Sequence, residues 1–242
     1  VKDFRPLLFG NGAKTLPPPP GGEGKDNRVT GLAFSAGRLY ASYGPRNLIA
    51  EYDADEGTLT TTCTVPSPGA LAARPDGSLA VLSGSTLAVL NDGELTTLTA
   101  EHLAEPRGVA VDATGNIYVS NQGRLQNVSV FASDGRYLRS LGTEGGRPAV
   151  GTYDPAGMLH PTSLTLDVKG RLWVMETIDA PKRVSVWNCG DGHLEKEFFG
   201  GAHYSSFIWM DPEHPDEIFC DSVLWKVDLD KKTWAPESTV WR

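Results

Sequence analysis

The sequence predicts an all-β chain folded as a β-propeller of four-stranded antiparallel blades, five of them visible, and three observations predict it. The stretch from Pro106 to Gly142, PRGVAVDATGNIYVSNQGRLQNVSVFASDGRYLRSLG, recurs in design at residues 161 to 200, PTSLTLDVKGRLWVMETIDAPKRVSVWNCGDGHLEKEFFG. Each copy holds four short alternating runs, in the first GVAVD, NIYVS, NVSVF and YLRSLG, parted by turn signals such as DATG and SDG. Such a meander cannot bury both faces alone, so copies must pack face to face, and repetition around an axis achieves this. Lastly, Gly31, Gly69, Gly108, Ser163 and Ser206 fall at one position in successive copies, as expected where strands converge on an axis and only small side chains fit.

The elements follow in order within a single domain, 1–242. Residues 4–9, FRPLLF, read as a stray outer strand of a blade whose other strands lie elsewhere. Residues 10–28 form a Pro- and Gly-rich loop unable to supply a ladder of donors. Its GGEGKD lacks the Walker spacing, with Pro19 and Asp26 standing where Gly and Ser or Thr are needed. Blades are expected at 29–65, 68–100, 106–142, 161–200 and 204–241, with 143–160 as a long loop. Flanking the small inner residues, Leu32 and Phe34, Val109 and Val111, Leu164 and Leu166, Phe207 and Trp209 alternate as the pleat requires and are expected to fill the space between blades.

Composition narrows the function classes. With 40% hydrophobic and 21% charged residues the chain can build a sizeable core, and no apolar run reaches the length of a membrane span. A net charge of −8 opposes binding to phosphate backbones, so neither nucleic acid nor membrane is an expected partner. Cys63, Cys189 and Cys220 stand in different repeats without a CxxC pair and are expected as free thiols.

At PRGVAVDATGNIYVSNQGRLQNVSVFASDG and PTSLTLDVKGRLWV the chain resembles the NHL-repeat family of propellers, with Asp112 and Gly115, and Asp167 and Gly170, carrying its D-x-x-G hairpin signature. The first two repeats have SAG and PDG at that turn and the fifth DPEHPDE. The resemblance implies architecture rather than activity. It also implies that five meanders and a stray strand are an incomplete six-bladed ring, completed by sequence outside this chain. The spacer GGRPAVGTYDPAGMLHP resembles segments of large secreted bacterial multidomain proteins, which implies an extracellular or periplasmic location and flanking domains.

Candidate site residues lie on loops around the expected channel mouth. His102, His160 and His203 precede consecutive blades, and three imidazoles converging on the axis would make a zinc site with an open position. That arrangement is similar to the peptide-amidating lyases, although Arg107 and Thr162 stand where that family's Pro-His motif has histidine. A second polar set comprises Arg46, Asn121, Arg124, Glu176, Asp179, Lys182 and Arg183. Glu176 and Asn121 resemble part of the calcium site of gluconolactonases, whose Glu-Gly-Pro motif is absent. Tyr153 and Tyr204 could stack on a sugar or peptide. The chain has no GxSxG, HExxH or GxGxxG. The leading expectation is a non-catalytic scaffold without a cofactor, recognising a protein or glycan through Arg46, Asn121, Arg124, Tyr153, Glu176 and Tyr204; the alternative is a metal-dependent lyase or hydrolase using Zn or Ca.

Overall fold

The turns between alternating runs set the architecture, and those that carry an aspartate hold their hairpins by side-chain chemistry. The computed structural model describes residues 16–22, 24–177, 181–200, 208–210, 213–220, 223–228 and 230–239. Strands β1 (Gly31–Ser35), β2 (Arg38–Tyr43), β3 (Leu48–Asp53) and β4 (Leu59–Thr64) form blade 1. Blade 2 consists of β5 (Pro68–Ala73), β6 (Leu79–Ser83), β7 (Thr86–Asn91) and β8 (Glu94–Thr99), and blade 3 of β9 (Pro106–Val111), β10 (Ile117–Asn121), β11 (Asn127–Phe131) and β12 (Tyr137–Leu141). After the short β13 (Gly151–Thr152), blade 4 comprises β14 (Pro161–Leu166), β15 (Arg171–Glu176), β16 (Arg183–Asn188) and β17 (Leu194–Phe199). Blade 5 comprises β18 (Ile208–Met210), β19 (Glu217–Cys220), β20 (Val223–Asp228) and β21 (Thr233–Thr239). All neighbouring strands pair antiparallel, so each sheet is a simple meander.

The D-x-x-G turns work as their residue types suggest. The Asp112 carboxylate accepts the backbone N–H groups of Thr114 and Asn116, each at 2.9 Å, together with the Thr114 hydroxyl at 2.7 Å and the Tyr118 hydroxyl at 3.1 Å. Gly115 supplies the positive φ of +89° that closes the turn. Asp167 accepts from Lys169 N at 2.9 Å, Arg171 Nε at 2.7 Å and the Trp173 indole at 3.0 Å. In blade 1 the turn is the two-residue Ala36-Gly37, with φ of 47° and 76°, and no carboxylate stands at the equivalent position.

The first strands β1, β5, β9 and β14 stand side by side. A Cβ on Gly31 would lie 2.3 Å from the Gly69 carbonyl oxygen, and one on Gly108 would lie 2.1 Å from the Thr162 carbonyl oxygen. Hydroxyls bridge the same contacts: Ser42 donates to the Gly69 carbonyl at 2.6 Å, Thr30 to the Pro68 carbonyl at 2.7 Å, and Ser120 to the Thr162 carbonyl. Together these strands line a hollow of about 280 Å³ walled by Ala72, Val109, Val111, Leu164 and Leu166, with Leu32 and Phe34 on its rim.

Between blades the pleat alternation delivers the expected cores. Ile49 and Val65 of blade 1 meet Leu71, Leu79, Val81 and Leu90 of blade 2. Ala80, Leu82 and Leu87 then meet Val109, Ile117, Val119 and Phe131 of blade 3, and Tyr118, Val128 and Val130 meet Leu172, Val174 and Trp187 of blade 4. Blade 1 departs from expectation: Leu32 and Phe34 are 56% and 63% exposed, because among the described residues no sheet covers that face. Its outer half is covered instead by Leu16, packed on Tyr43 and Tyr52, with the Tyr52 hydroxyl donating to the Pro17 carbonyl at 3.0 Å.

The loop 143–160 differs from a plain connector. Its β13 pairs with β21, Gly151 opposite Thr239 and Thr152 opposite Ser238, adding a fifth strand to blade 5. Cys63, Cys189 and Cys220 are half-buried, and no disulfide joins them among the described residues. Among the described residues no helix is long and apolar enough to cross a membrane. The stray strand 4–9, Ser206 and Phe207 lie outside the described residues.

Two outcomes are expected. Gly108→Val should cost at least about 2 kcal/mol in urea unfolding, because its Cβ has no room against backbone. Gly69→Ala should stay within about 1 kcal/mol of the wild type, since its nearest neighbours lie 3.5 Å or more away. The second concerns pH. Burial pushes the Asp112 carboxyl up, but hydrogen bonds from Thr114 and Asn116 outweigh it and hold the group below its ordinary value of 3.8. The Arg171 side chain, then Trp173, hold Asp167 far lower. Depressed carboxylates contribute stability that is present above the ordinary value and lost as pH falls through the lowered one. Melting temperature measured from about pH 5 to pH 2 should therefore fall, and fall less steeply in Asp112→Asn.

Candidate functional site

The most heavily built polar cluster sits where β15 ends and β16 begins, under the 143–160 loop. Glu176 closes β15 and Arg183 opens β16, so the hairpin places them on either side of one connection. Arg183 Nε donates to Glu176 Oε1 at 2.6 Å, and Arg147 of the loop donates to Glu176 Oε2 at 3.0 Å. The Leu159 N–H also reaches Oε2, at 2.9 Å. The remaining nitrogens of Arg183 donate to Glu197 at 2.6 Å, to the Tyr153 hydroxyl at 3.0 Å, and to the carbonyls of Pro155 and Gly157 at 2.8 and 2.7 Å. Tyr153 donates to Glu197, and Arg147 lies over its ring, 5.3 Å from the centroid. The side chains of Arg147, Glu176 and Arg183 are 1%, 0% and 0% exposed.

Local sequence explains how the loop reaches this cluster. Gly146 adopts φ of +71°, and a Cβ there would meet the Met158 carbonyl oxygen at 2.1 Å. A Cβ on Gly157 would meet Arg147 N at 2.4 Å, so both glycines let the loop fold back on itself, with Arg147 N–H donating to the Met158 carbonyl at 3.1 Å. Burial works against the Arg183 charge, but Glu176, Tyr153 and Glu197 more than offset it and raise the guanidinium's hold on its proton. Burial pushes the Tyr153 hydroxyl up strongly, opposed by Arg183 and assisted by Glu197. With both carboxylate oxygens of Glu176 engaged and Arg183 bonded through every nitrogen, the cluster clamps the loop to blade 4.

The other expected site residues are placed as follows. Asn121 is fully buried; its carbonyl oxygen accepts the Ala104 N–H at 3.0 Å and its amide donates to the Ser129 hydroxyl at 2.9 Å, which fixes the loop before β9. Arg46 donates to the Pro19 carbonyl at 2.8 Å, to Asn27 at 3.1 Å and to the Pro20 carbonyl, tying down the proline segment. Arg124 is solvent-exposed, paired with Glu144 at 3.7 Å. The His102 ring lies flat on Tyr137 of the outer strand β12, with centroids 3.8 Å apart. The His160 N–H donates to Gln126 at 2.6 Å and its carbonyl accepts from Thr177. His203, Tyr204 and Asp179 lie outside the described residues. Among the described residues no three His, Cys, Asp or Glu side chains are grouped as metal ligands.

Two features escaped sequence reasoning. The sequence does not single out Arg147 within the 143–160 loop; a lone arginine behind a Gly-Gly pair, before a strand ending in Glu, is the available signal. Tyr153 and Glu176 read as open recognition groups, whereas both belong to the clamp.

Comparison with known proteins agrees with the architecture. No family profile matches the chain, and no curated protein matches it in sequence. Three solved structures superpose well. Hydrazine synthase of Kuenenia stuttgartiensis has 15% identity and a TM-score of 0.56 over 86% of this chain and 61% of that one. Nidogen in its laminin complex has 19% identity and a TM-score of 0.57, over 88% and 80% of the two chains. The fold is a β-propeller. A streptogramin B lyase, at 15% identity and a TM-score of 0.56, covers 87% of this propeller and 68% of its own chain. The propeller thus spans less than two thirds of the hydrazine synthase chain, and identities this low carry fold alone.

Removing one charge from the clamp gives a direct test. Glu176→Gln leaves two buried guanidinium groups without their shared counter-charge and should cost about 3–5 kcal/mol in urea unfolding. Arg124→Ala, which removes only an exposed pair, should cost under about 1 kcal/mol.

Proposed function

We propose that the chain is a non-catalytic binding module of the NHL-repeat type, acting outside the cytoplasm of a bacterium and recognising a protein or glycan partner on the loop-bearing face of its propeller. The observation that supports this reading is how polar groups divide on that face. Asn121, Glu176 and Arg183 are buried and committed to holding loops. Around them lies an exposed fringe of alternating charge, Glu105 with Arg107 at 3.6 Å and Arg124 with Glu144 at 3.7 Å. A rigid platform with a polar rim suits recognition of a polar surface, where long exposed pairs can exchange partners at little cost. The NHL assignment draws support from the Asp112 and Asp167 hairpins, which use the family's D-x-x-G residues to hold their turns. The extracellular or periplasmic placement draws on the likeness of the 143–160 segment to secreted bacterial chains.

Glycan and peptide arrays probed with the purified chain test the reading. At least one ligand should be retained, and the double substitution Arg107→Ala with Arg124→Ala should weaken it about tenfold or more without lowering the melting temperature. Stoichiometric Zn or Ca in the purified protein, together with turnover of a lactone or peptidylglycine and an empty array, would instead support the lyase or hydrolase reading through His102, His160 and His203 or through Asn121 and Glu176.

A further inference from the structure

A different part of the molecule departs from the repeat in a chemically specific way. In each of blades 1 to 4 one cross-strand row lies on the face directed toward the following blade. In blade 3 it is Ala110, Tyr118, Val130 and Arg139, and in blade 4 it is Thr165, Trp173, Val186 and Lys196. Both rows have an aromatic on the second strand, valine on the third and a long cation on the fourth. The aromatic's polar tip is taken by the turn carboxylate, Tyr118 by Asp112 and Trp173 by Asp167. The cation is used locally: Arg139 donates to the Cys189 carbonyl of the next blade, and the Lys196 ammonium lies 4.9 Å from the Phe198 ring centroid. In blade 2 the row is Ala72, Ala80, Val89 and Thr96, and Phe131 and Tyr137 of blade 3 pack into that interface.

Blade 1 inverts this chemistry. Its row is Ala33, Tyr40, Glu51 and Thr61, so a carboxylate replaces the valine and a short hydroxyl replaces the cation. Its turn has no aspartate to take the Tyr40 hydroxyl. Between this row and blade 2 lies a cleft of about 380 Å³, within the range of small-ligand sites, lined by Tyr40, Glu51, Thr61, Cys63, Asn91 and Asp92. Glu51 is touched by Arg38 in a long pair, 3.6 Å from Nε to Oε1, while that arginine also donates to Thr60. Burial, and then the Glu51 charge, push the Tyr40 hydroxyl up.

We infer that this cleft is a binding site for a guanidinium-bearing ligand about the size of an arginine residue, whose cation takes the place filled by Arg139 in blade 3. The repeat supplies a cation at that point in blades 3 and 4, and blade 1 offers a carboxylate in its absence. Glu51 and Asp92 provide charged acceptors for the planar fork, Thr61 and Asn91 provide neutral oxygens, and the Tyr40 ring provides a face for the cation. The net charge of −8 favours approach of a cationic ligand. The site is separate from the loop face and stands or falls independently of the function proposed for it.

Calorimetric titration with agmatine, with 1,5-diaminopentane and glucose as comparison arms, tests the inference, and amide chemical shifts locate any binding. Agmatine should bind with Kd of about 1 mM or tighter and shift amides at Glu51, Thr61 and Asp92, with diaminopentane several-fold weaker and glucose silent. Glu51→Gln should weaken agmatine about tenfold or more, and Thr61→Arg, which places the blade 3 cation in the cleft, should abolish binding while keeping the wild-type melting temperature. Absence of binding, equal binding of diaminopentane or glucose, or wild-type affinity in Glu51→Gln would overturn it. Glu51→Gln is isosteric, so its result decides the matter if Thr61→Arg fails to fold.

Discussion

Everything in this molecule hangs on how closely its innermost strands approach. Backbone meets backbone where Gly31 faces Gly69 and where Gly108 faces Thr162, with no space for a side-chain carbon. The approach brings carbonyls of one blade within reach of hydroxyls of the next, and Ser42 and Ser120 use it. Gly69 and Thr162 lie where the cross-strand register of β5 and β14 is interrupted, so their carbonyls thereby gain a donor, and a hydroxyl buried between blades is kept satisfied. Outward from these contacts the layers between blades take larger residues, Phe131 and Trp187 among them, both buried.

What could be read from sequence tracks how locally each feature is determined. The hairpins were legible because a turn aspartate and its donors lie within six residues, as with Asp112 and Tyr118. The glycine register was legible because it repeats. The role of Glu176 was not, since its meaning depends on Arg147, which arrives from a loop with no periodicity to place it. Asn121 was similarly opaque: an amide at a strand end looks available until the loop carrying Ala104 closes over it. Leu32 and Phe34 have the pattern of packed residues, and pattern alone does not tell whether a neighbour is there.

Charge is used in two different ways. In the clamp, two arginines and two glutamates balance one another in a nearly dry setting, an arrangement whose desolvation cost makes it a poor source of net stability. What such a cluster provides is discrimination, because only one path of the 143–160 loop satisfies every nitrogen of Arg183. Elsewhere single carboxylates tune turns, and their effect is confined to the hairpins they close.

Pairing of β13 with β21 carries a consequence for folding. In a repeat array whose modules touch only sequential neighbours, an end module can fray without disturbing the rest. Here blade 5 is hydrogen-bonded to a segment that precedes the fourth blade in sequence, and that segment is itself fastened by Arg183 and Tyr153. Detaching blade 5 therefore exposes β13 as well, which couples β13 and β21 into one cooperative unit. Amide exchange along β21 and β13 would then report the same opening event.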